Sequence, residues 1–446
     1  MRRVNAPSAP LSPSAPASPP GESAPIAPLP SRTPIDVLGL TSQELIEAAR
    51  LQGVHGAGVA ARLYPVLMRE GRFAPEELGL GSAGIASWRA AFSLGLLTVV
   101  RVVAEAAEPP ESAAQAQAAT AAESSETTAD APAQVPTTAA DGATAKVVLR
   151  THDGYEIECV RIPMRRGEDG RQSTWSLCIS SQVGCRMGCT FCETGRMGLL
   201  RNLSAAEIVA QVVTVRAVLG WEVRNLVFMG MGEALDNAEQ VIKALHILTD
   251  RRGLGFSQER LTICTSGHAE GLRRLAALGW KRLNLSLSLN AAEDQARSRI
   301  MPVNRRTPLA ELQGLLAAYP QRRNFILGVN YCLIPGLNDG PQDAQRVADF
   351  CRPLGRVLVN LIPYNPGSAP IARAPSETEV EAFIAALRGA GLPVRRRVTK
   401  GRGIMAACGQ LGNVALRRAR GAPQAPQLPH AEAIGDAGAC AGQEAS

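Results

Sequence analysis

From residue 146 to residue 398 the chain switches repeatedly between two hydrophobic rhythms. Short runs rich in Val, Ile, Leu and Phe at 175–180, 225–229, 261–265, 282–287, 325–332, 357–362 and 394–398 have the length and composition of strands. Between them, apolar residues recur every three to four positions, which predicts helices over 204–219, 238–250, 270–278, 309–319, 342–351 and 377–390. About six strand-then-helix units in succession imply an α/β fold with a parallel sheet, closed as a barrel or open part-barrel. Functional residues in such folds gather at the C-terminal ends of the strands. Two further β-type runs, 146–150 and 155–162, flank Asp153-Gly154 and read as a hairpin with a two-residue turn that opens this main domain.

Upstream, residues 35–105 place Leu45, Ile46, Ala49 and Leu51, then Val59, Leu63, Val66 and Leu67, at helical spacing, and Thr41-Ser-Gln-Glu44 offers a capping box. A small all-helical domain is expected there. Residues 1–34 are dense in Pro, Ala and Ser, 106–145 in Ala, Ser, Thr, Glu and Gln, and 421–446, with Cys440, in Ala, Gly, Pro and Gln. Such stretches bury too little apolar area to offset their ordering entropy, so a disordered arm, linker and tail are expected around a main domain of 146–420.

Composition narrows the class. A chain of 446 residues with 46% hydrophobic content has room for more than one core. No run approaches the ~20 apolar residues of a membrane span, and Met1-Arg2-Arg3 leads into Pro, Ala and Ser rather than a secretory signal, so a cytoplasmic protein is expected. Without a signal, ten Cys read as metal, catalytic or buried thiols rather than a disulfide framework. The net charge of +7 understates the main domain, where doublets such as Arg165-Arg166, Arg251-Arg252, Arg305-Arg306 and the run Arg395-Arg-Arg397 suit a phosphate backbone. With only 4% aromatics, a nucleic acid would be held by shape and phosphates rather than by stacking platforms.

The most specific chemical signal is Cys185-Arg-Met-Gly-Cys189-Thr-Phe-Cys192, directly after the first strand of the series. Three thiolates on one short loop can ligate three irons of a 4Fe-4S cluster and leave the fourth open; a closed zinc site would need a remote fourth donor, which is the alternative. Phe191 would shield such a cluster from water. With this spacing the sequence resembles the radical S-adenosylmethionine (SAM) superfamily, whose fold is a part-barrel. That resemblance implies a cluster whose open iron binds SAM and a 5′-deoxyadenosyl radical made by one-electron cleavage of its sulfonium.

A closer resemblance runs from about residue 146 to 411, through Ser180-Ser-Gln-Val-Gly-Cys185, Arg201-Asn-Leu-Ser204, Gly230-Met-Gly-Glu233, Thr265-Ser-Gly267, Met301-Pro-Val-Asn304, Asn360-Leu-Ile-Pro363 and Ala406-Ala-Cys408-Gly-Gln-Leu411. These motifs are similar to the RlmN/Cfr family of radical SAM RNA adenine methyltransferases. The resemblance implies methylation of an unactivated adenine ring carbon, with C2 the favoured position, in ribosomal RNA, transfer RNA or both. It makes Cys408 the methyl-carrying thiol, Cys178 the partner that releases the product through a disulfide, and Glu158 the proton acceptor. Gly232, Glu233, Cys264, Ser288, Leu289, Asn290 and Asn365 match the family's SAM-binding positions. It further implies an electron donor such as flavodoxin or ferredoxin, a monomer and no membrane contact.

The chain departs from the family pattern at Ala234, Cys264, Asn290 and Gly403-Ile-Met405, which puts the target nucleotide in question. Cys159, Cys332 and Cys351 sit in apolar patterns and are expected in the core, and the lone His268 is expected to be structural. Two other readings stand beside the methyltransferase: a radical SAM enzyme with a non-RNA substrate, and a non-catalytic iron–sulfur or RNA-binding paralogue. Retention of both Cys178 and Cys408 disfavours the second, since a binding module needs no thiol pair.

Overall fold

The computed structural model describes residues 33–105, 143–166 and 172–412. Residues 1–32 of the expected arm, 106–142 of the linker and the whole tail, Cys440 included, lie outside the described residues. Ten strands form one sheet: β1 (Thr98–Ala104), β2 (Ala145–Arg150), β3 (Glu156–Arg166), β4 (Gln172–Cys178), β5 (Asn225–Phe228), β6 (Leu261–Thr265), β7 (Asn284–Ser288), β8 (Leu327–Leu333), β9 (Val357–Pro363) and β10 (Val394–Arg396). Their order in space is their order in sequence. β1 to β4 pair antiparallel, β4 to β10 parallel.

Six helices connect the parallel strands: Ala205–Leu219, Ala238–Thr249, Ala269–Ala277, Leu309–Ala317, Pro341–Cys351 and Glu377–Gly389. This is the open part-barrel that the sequence pattern implies, with β1 and β10 as its edges among the described residues. Helix starts follow local chemistry: Ser204 with Glu207, and Ser376 with Glu379, form capping boxes that satisfy otherwise unpaired backbone N–H groups.

The parallel strands have two unlike faces. On β8, Leu327, Val329, Tyr331 and Leu333 are buried against the helices, and Tyr331 stacks on Phe383 of Glu377–Gly389 with centroids 5.3 Å apart. The alternate residues Gly328, Asn330 and Cys332 face the concave side. The same alternation sets Leu285 and Leu287 against Ser286 and Ser288 on β7, and Val359 and Leu361 against Asn360 on β9. The lumen is therefore lined by small polar and thiol side chains, a surface suited to a ligand rather than to a packed core.

Two expectations are revised. Residues 35–105 contain the helices Ser42–Leu51, Ala60–Glu70 and Ser82–Ala91, but they end in strand β1, whose β-branched run pairs with β2 of the large sheet. The helices share a continuous core with the barrel: Ser42 N donates to Asp250 Oδ2 at 2.7 Å, and Arg69 Nε to Gly253 O at 2.8 Å. The β2–β3 hairpin closes through Thr151 N to Tyr155 O at 2.8 Å, which leaves a three-residue loop rather than two, with Gly154 at φ 84° supplying the left-handed step.

Candidate active site at the strand ends

The cysteine loop leaves β4 through Ser180, whose hydroxyl donates to Glu158 O and accepts from Met231 N, so three strand ends are tied at one atom. Gln182–Gly184 then pairs antiparallel with Leu199–Asn202, holding the loop's two ends together. Thr190 N donates to Ile300 O at 3.0 Å, and Cys185 and Met187 pack against Ala291, Ile300, Met301 and Val303, with Cys189 and Phe191 alongside. The three thiols crowd one another: burial and its neighbours push Cys185 well up, burial and then Cys192 push Cys189 up to about 12, and burial pushes Cys192 up. Thiolates there require a cationic group between them. Among the described residues no group of three or more His, Cys, Asp or Glu is placed to hold a single metal ion.

Gly230-Met-Gly-Glu233 turns beside this loop. Gly232 has φ 99°, and a Cβ there would lie 2.6 Å from Gln182 Cβ and 2.9 Å from Gln182 N, so the turn admits glycine alone. Glu233 N donates to Gln182 Oε1 at 2.8 Å; the Glu233 carboxylate accepts from Ser266 N and Oγ and from Leu235 N. Cys264 and Ser288 face the lumen on neighbouring strands. Leu289 N donates to Asn330 O, and the Leu289 side chain lies in the core on the helix side. Asn290 adopts φ 58°, a conformation Asn tolerates, and its side chain accepts from Cys332 N at 2.9 Å and donates to Met301 Sδ. The structure thus gives the Asn290 side chain a backbone-supporting task.

The C-terminal residues 400–412 cross the mouth of the lumen. Gly409 O accepts from Glu193 N at 2.8 Å, one residue past Cys192, and Thr194 Oγ1 donates to Leu411 O at 2.5 Å. Asn365, just past β9, donates to Cys408 O at 3.3 Å and accepts from Arg402. Cys408 is exposed, Cys178 is buried at the end of β4, and both are free thiols. Burial and then the nearby Cys408 raise the Cys178 thiol to about 12, with Arg397 acting the other way. Glu158 forms a buried ion pair with Lys146 at 3.1 Å and accepts from Gly412 N at 2.9 Å, while Lys146 also donates to Met405 O at 3.0 Å. A cavity of about 510 Å³ opens behind this loop, lined by Lys146, Glu158, Glu193, Met405 and Gln410. A larger cleft of about 650 Å³ lies at the other end of the barrel, beside Val357 and Pro393, away from every thiol of the site.

Residues 179–351 match the Radical SAM superfamily. The chain is 45% identical over 278 residues to a probable dual-specificity RNA methyltransferase RlmN 1 of Protochlamydia amoebophila, covering 62% of this chain and 75% of that protein. The chain belongs to the RlmN family of radical SAM RNA methyltransferases. A second RlmN relative, the dual-specificity RNA methyltransferase of Syntrophobacter fumaroxidans, is 43% identical over 274 residues, covering 61% of this chain and 77% of that protein. Among solved structures, a radical SAM methyltransferase from Sphaerobacter thermophilus superposes with a TM-score of 0.67 at 32% identity, covering 85% of this chain and 99% of that one.

In this RlmN-family chain the expected site residues lie toward one end of the barrel, except that the Leu289 side chain turns into the core on the helix side. Cys332, expected in the core, instead faces the lumen because it lies on the even face of β8, whereas Cys159 is buried beneath Ala205–Leu219, its Sγ donating to Gln211 Oε1, and Cys351 is buried at the end of the helix Pro341–Cys351. His268 caps Ala269–Ala277, its Nδ1 accepting from Gly271 N at 3.1 Å. Sequence reasoning passed over Lys146, Gln182 and Arg297. Arg297 is wholly buried and donates to Leu289 O, Ser266 O, Ser288 O and Asn304 Oδ1, binding the ends of β6 and β7 to the Met301-Pro-Val-Asn304 turn. The motif matches at Asn304 and Gln182 were the available signal; a lone Arg in a helix reads as solvated.

Proposed function

We propose that this enzyme methylates a ring carbon of adenine, with C2 the favoured position, in ribosomal RNA, transfer RNA or both, with Cys408 as methyl carrier. Carrying this reading is the meeting of an exposed Cys408, a buried Cys178 and the Cys185, Cys189, Cys192 loop around one lumen, with Gly409 bonded directly to Glu193 of the cluster loop. The dual-specificity names of the relatives support two RNA classes as substrates.

Cys185, Cys189 and Cys192 would hold a 4Fe-4S cluster, and Gly232, Glu233, Cys264, Ser288 to Asn290 and Asn365 would hold SAM. When bound, these groups supply a radical strong enough to remove hydrogen from an unactivated methyl group. The chain's own residues do the rest. Cys408 presents its sulfur from a loop fixed at both ends, so the methyl carbon it carries can reach a flipped base. Cys178, held nearby and largely protonated by its surroundings, is the thiol that bonds to Cys408 sulfur and frees the product as a disulfide forms. Glu158, held by Lys146, stands beside the cavity behind the loop as proton acceptor. Phe191 and the apolar contacts of Met187 and Met301 keep water from the cysteine loop. A low-potential donor such as flavodoxin or ferredoxin supplies the electron, and the enzyme works as a cytoplasmic monomer. No helix among the described residues is long and apolar enough to cross a membrane.

Replacing Cys408 with Ala tests the carrier role. Reconstituted C408A is expected to cleave SAM to 5′-deoxyadenosine without methylating RNA. Undiminished RNA methylation by C408A would remove the carrier role.

A further inference from the structure

The lumen holds a buried polar group that no neighbour satisfies. Asn330 lies on the concave face of β8, in register with Ser288 of β7 on one side and Asn360 of β9 on the other. It is 2% exposed. Asn360 Nδ2 donates to Asn330 Oδ1 at 3.1 Å, which fixes the rotation of the Asn330 amide and turns its Nδ2 away. That Nδ2 is buried and has no partner. The backbone of Asn330 is not short of bonds: its carbonyl accepts from Leu289 N at 3.0 Å, at the centre of the Ser288-Leu289-Asn290 strand end. On one side of Asn330, Ser286 Oγ occupies the space over Gly328, where a Cβ would lie 2.5 Å from it. A partner for Nδ2 would approach from the other side, toward Ser288, Cys332 and the strand ends.

A buried amide without a partner is costly, and a fold retains one where something outside the protein completes it. Two other buried nitrogens among the described residues, Trp88 Nε1 and Arg322 Nε, have no partner. Each belongs to a side chain packed elsewhere, Trp88 against Phe92 and Arg322 beside Glu259. Of these three, Asn330 faces the lumen, next to a residue already assigned to the cofactor.

We propose that Asn330 is a cofactor-binding residue whose amide donates a hydrogen bond to SAM beside Ser288. The proposal rests on the reading of this lumen as the SAM site. The complementary atom must be an acceptor, and SAM offers ring nitrogens, ribose oxygens and a carboxylate, whereas its ammonium and sulfonium offer none. Asn360, through its bond to Asn330 Oδ1, is the positioning residue that keeps the donor end of the amide toward the ligand.

The test separates a ligand contact from a structural one by measuring two quantities on the same proteins. Binding of S-adenosylhomocysteine to the reconstituted protein is measured by calorimetry, and thermal unfolding is followed without ligand, for wild type, Asn330→Leu and Asn330→Asp. Leu is of similar volume and carries no polar atom, so it removes the unsatisfied Nδ2 together with the acceptor of the half-buried Asn360 amide; the two effects oppose, and the ligand-free protein is expected to unfold close to the wild-type temperature, while affinity falls about tenfold. Asp keeps the shape but sets an acceptor against an acceptor, and is expected to weaken binding at least as much. Unchanged affinity in both variants overturns the proposal, as does a loss of thermal stability with affinity intact. If wild type itself does not bind S-adenosylhomocysteine, the SAM site falls and the proposal with it.

Discussion

Replacing Lys146 with Met should release the loop that carries Cys408. The ammonium of Lys146 is 3.1 Å from Glu158 Oε1 with side chains 8% and 9% exposed, so the pair is well shielded from water. It also reaches Met405 O, while Glu158 Oε2 takes Gly412 N, so one ion pair clasps both ends of an eight-residue segment with Cys408 between them. Removing one partner of a buried pair leaves the other charge uncompensated, at a cost of about 3–5 kcal/mol. If that cost falls on loop opening, the open population rises on the order of a hundred- to several-thousandfold. Hydrogen–deuterium exchange of peptides spanning 403–412 reads this directly, with Gly412 N–H as the reporter. The K146M/E158Q double variant, which removes both charges, should recover at least half of the lost protection. Exchange in K146M within about threefold of wild type would refute the clasp.

Three further outcomes follow from the same geometry. Gly232→Ala forces a Cβ to 2.6 Å from Gln182 in a left-handed turn, and should abolish S-adenosylhomocysteine binding in calorimetry while lowering the thermal midpoint. Arg297→Met orphans the acceptors at Leu289, Ser266, Ser288 and Asn304 and should cost about 3–5 kcal/mol in denaturant unfolding; Arg297→Lys, which lacks the fork, should regain less than half. The folded state raises the Cys178 thiol from 9.0 to about 12, so it favours the protonated form. Its stabilising effect is complete below pH 9 and is lost as pH climbs toward 12, at ~1.4 kcal/mol per pH unit for this thiol. Urea midpoints of the cluster-free protein from pH 7.5 upward should fall above about pH 9, less steeply in Cys178→Ala; equal slopes in the two proteins would contradict the assignment.

The parallel sheet was legible because each of its elements is local: six helices and seven strands carry their own periodicity, and their spatial order repeats the chain order. Strand β1 was not, because its partner β2 is supplied from beyond residues 106–142, and a run such as Thr98-Val-Val-Arg-Val-Val declares no partner. The cysteine loop was readable from spacing, as was the placing of Cys178, Cys264 and Ser288 at strand ends. What the residues around them do was not. Glu158 reads equally well as the exposed side of an alternating strand; only the fold brings Lys146, on a different strand, against it. Arg297 and Asn330 look like ordinary polar positions until burial removes water from them. Cys332 looks like a core thiol until the strand's two faces are told apart.

Methyl transfer to RNA is tested most directly by mass spectrometry of nucleosides from ribosomal and transfer RNA incubated anaerobically with the reconstituted enzyme, methyl-labelled SAM and a one-electron reductant. Label in 2-methyladenosine, absent when C408A replaces the wild type, is the expected result. Cleavage of SAM to 5′-deoxyadenosine by the wild type with no labelled adenosine in either RNA would contradict it.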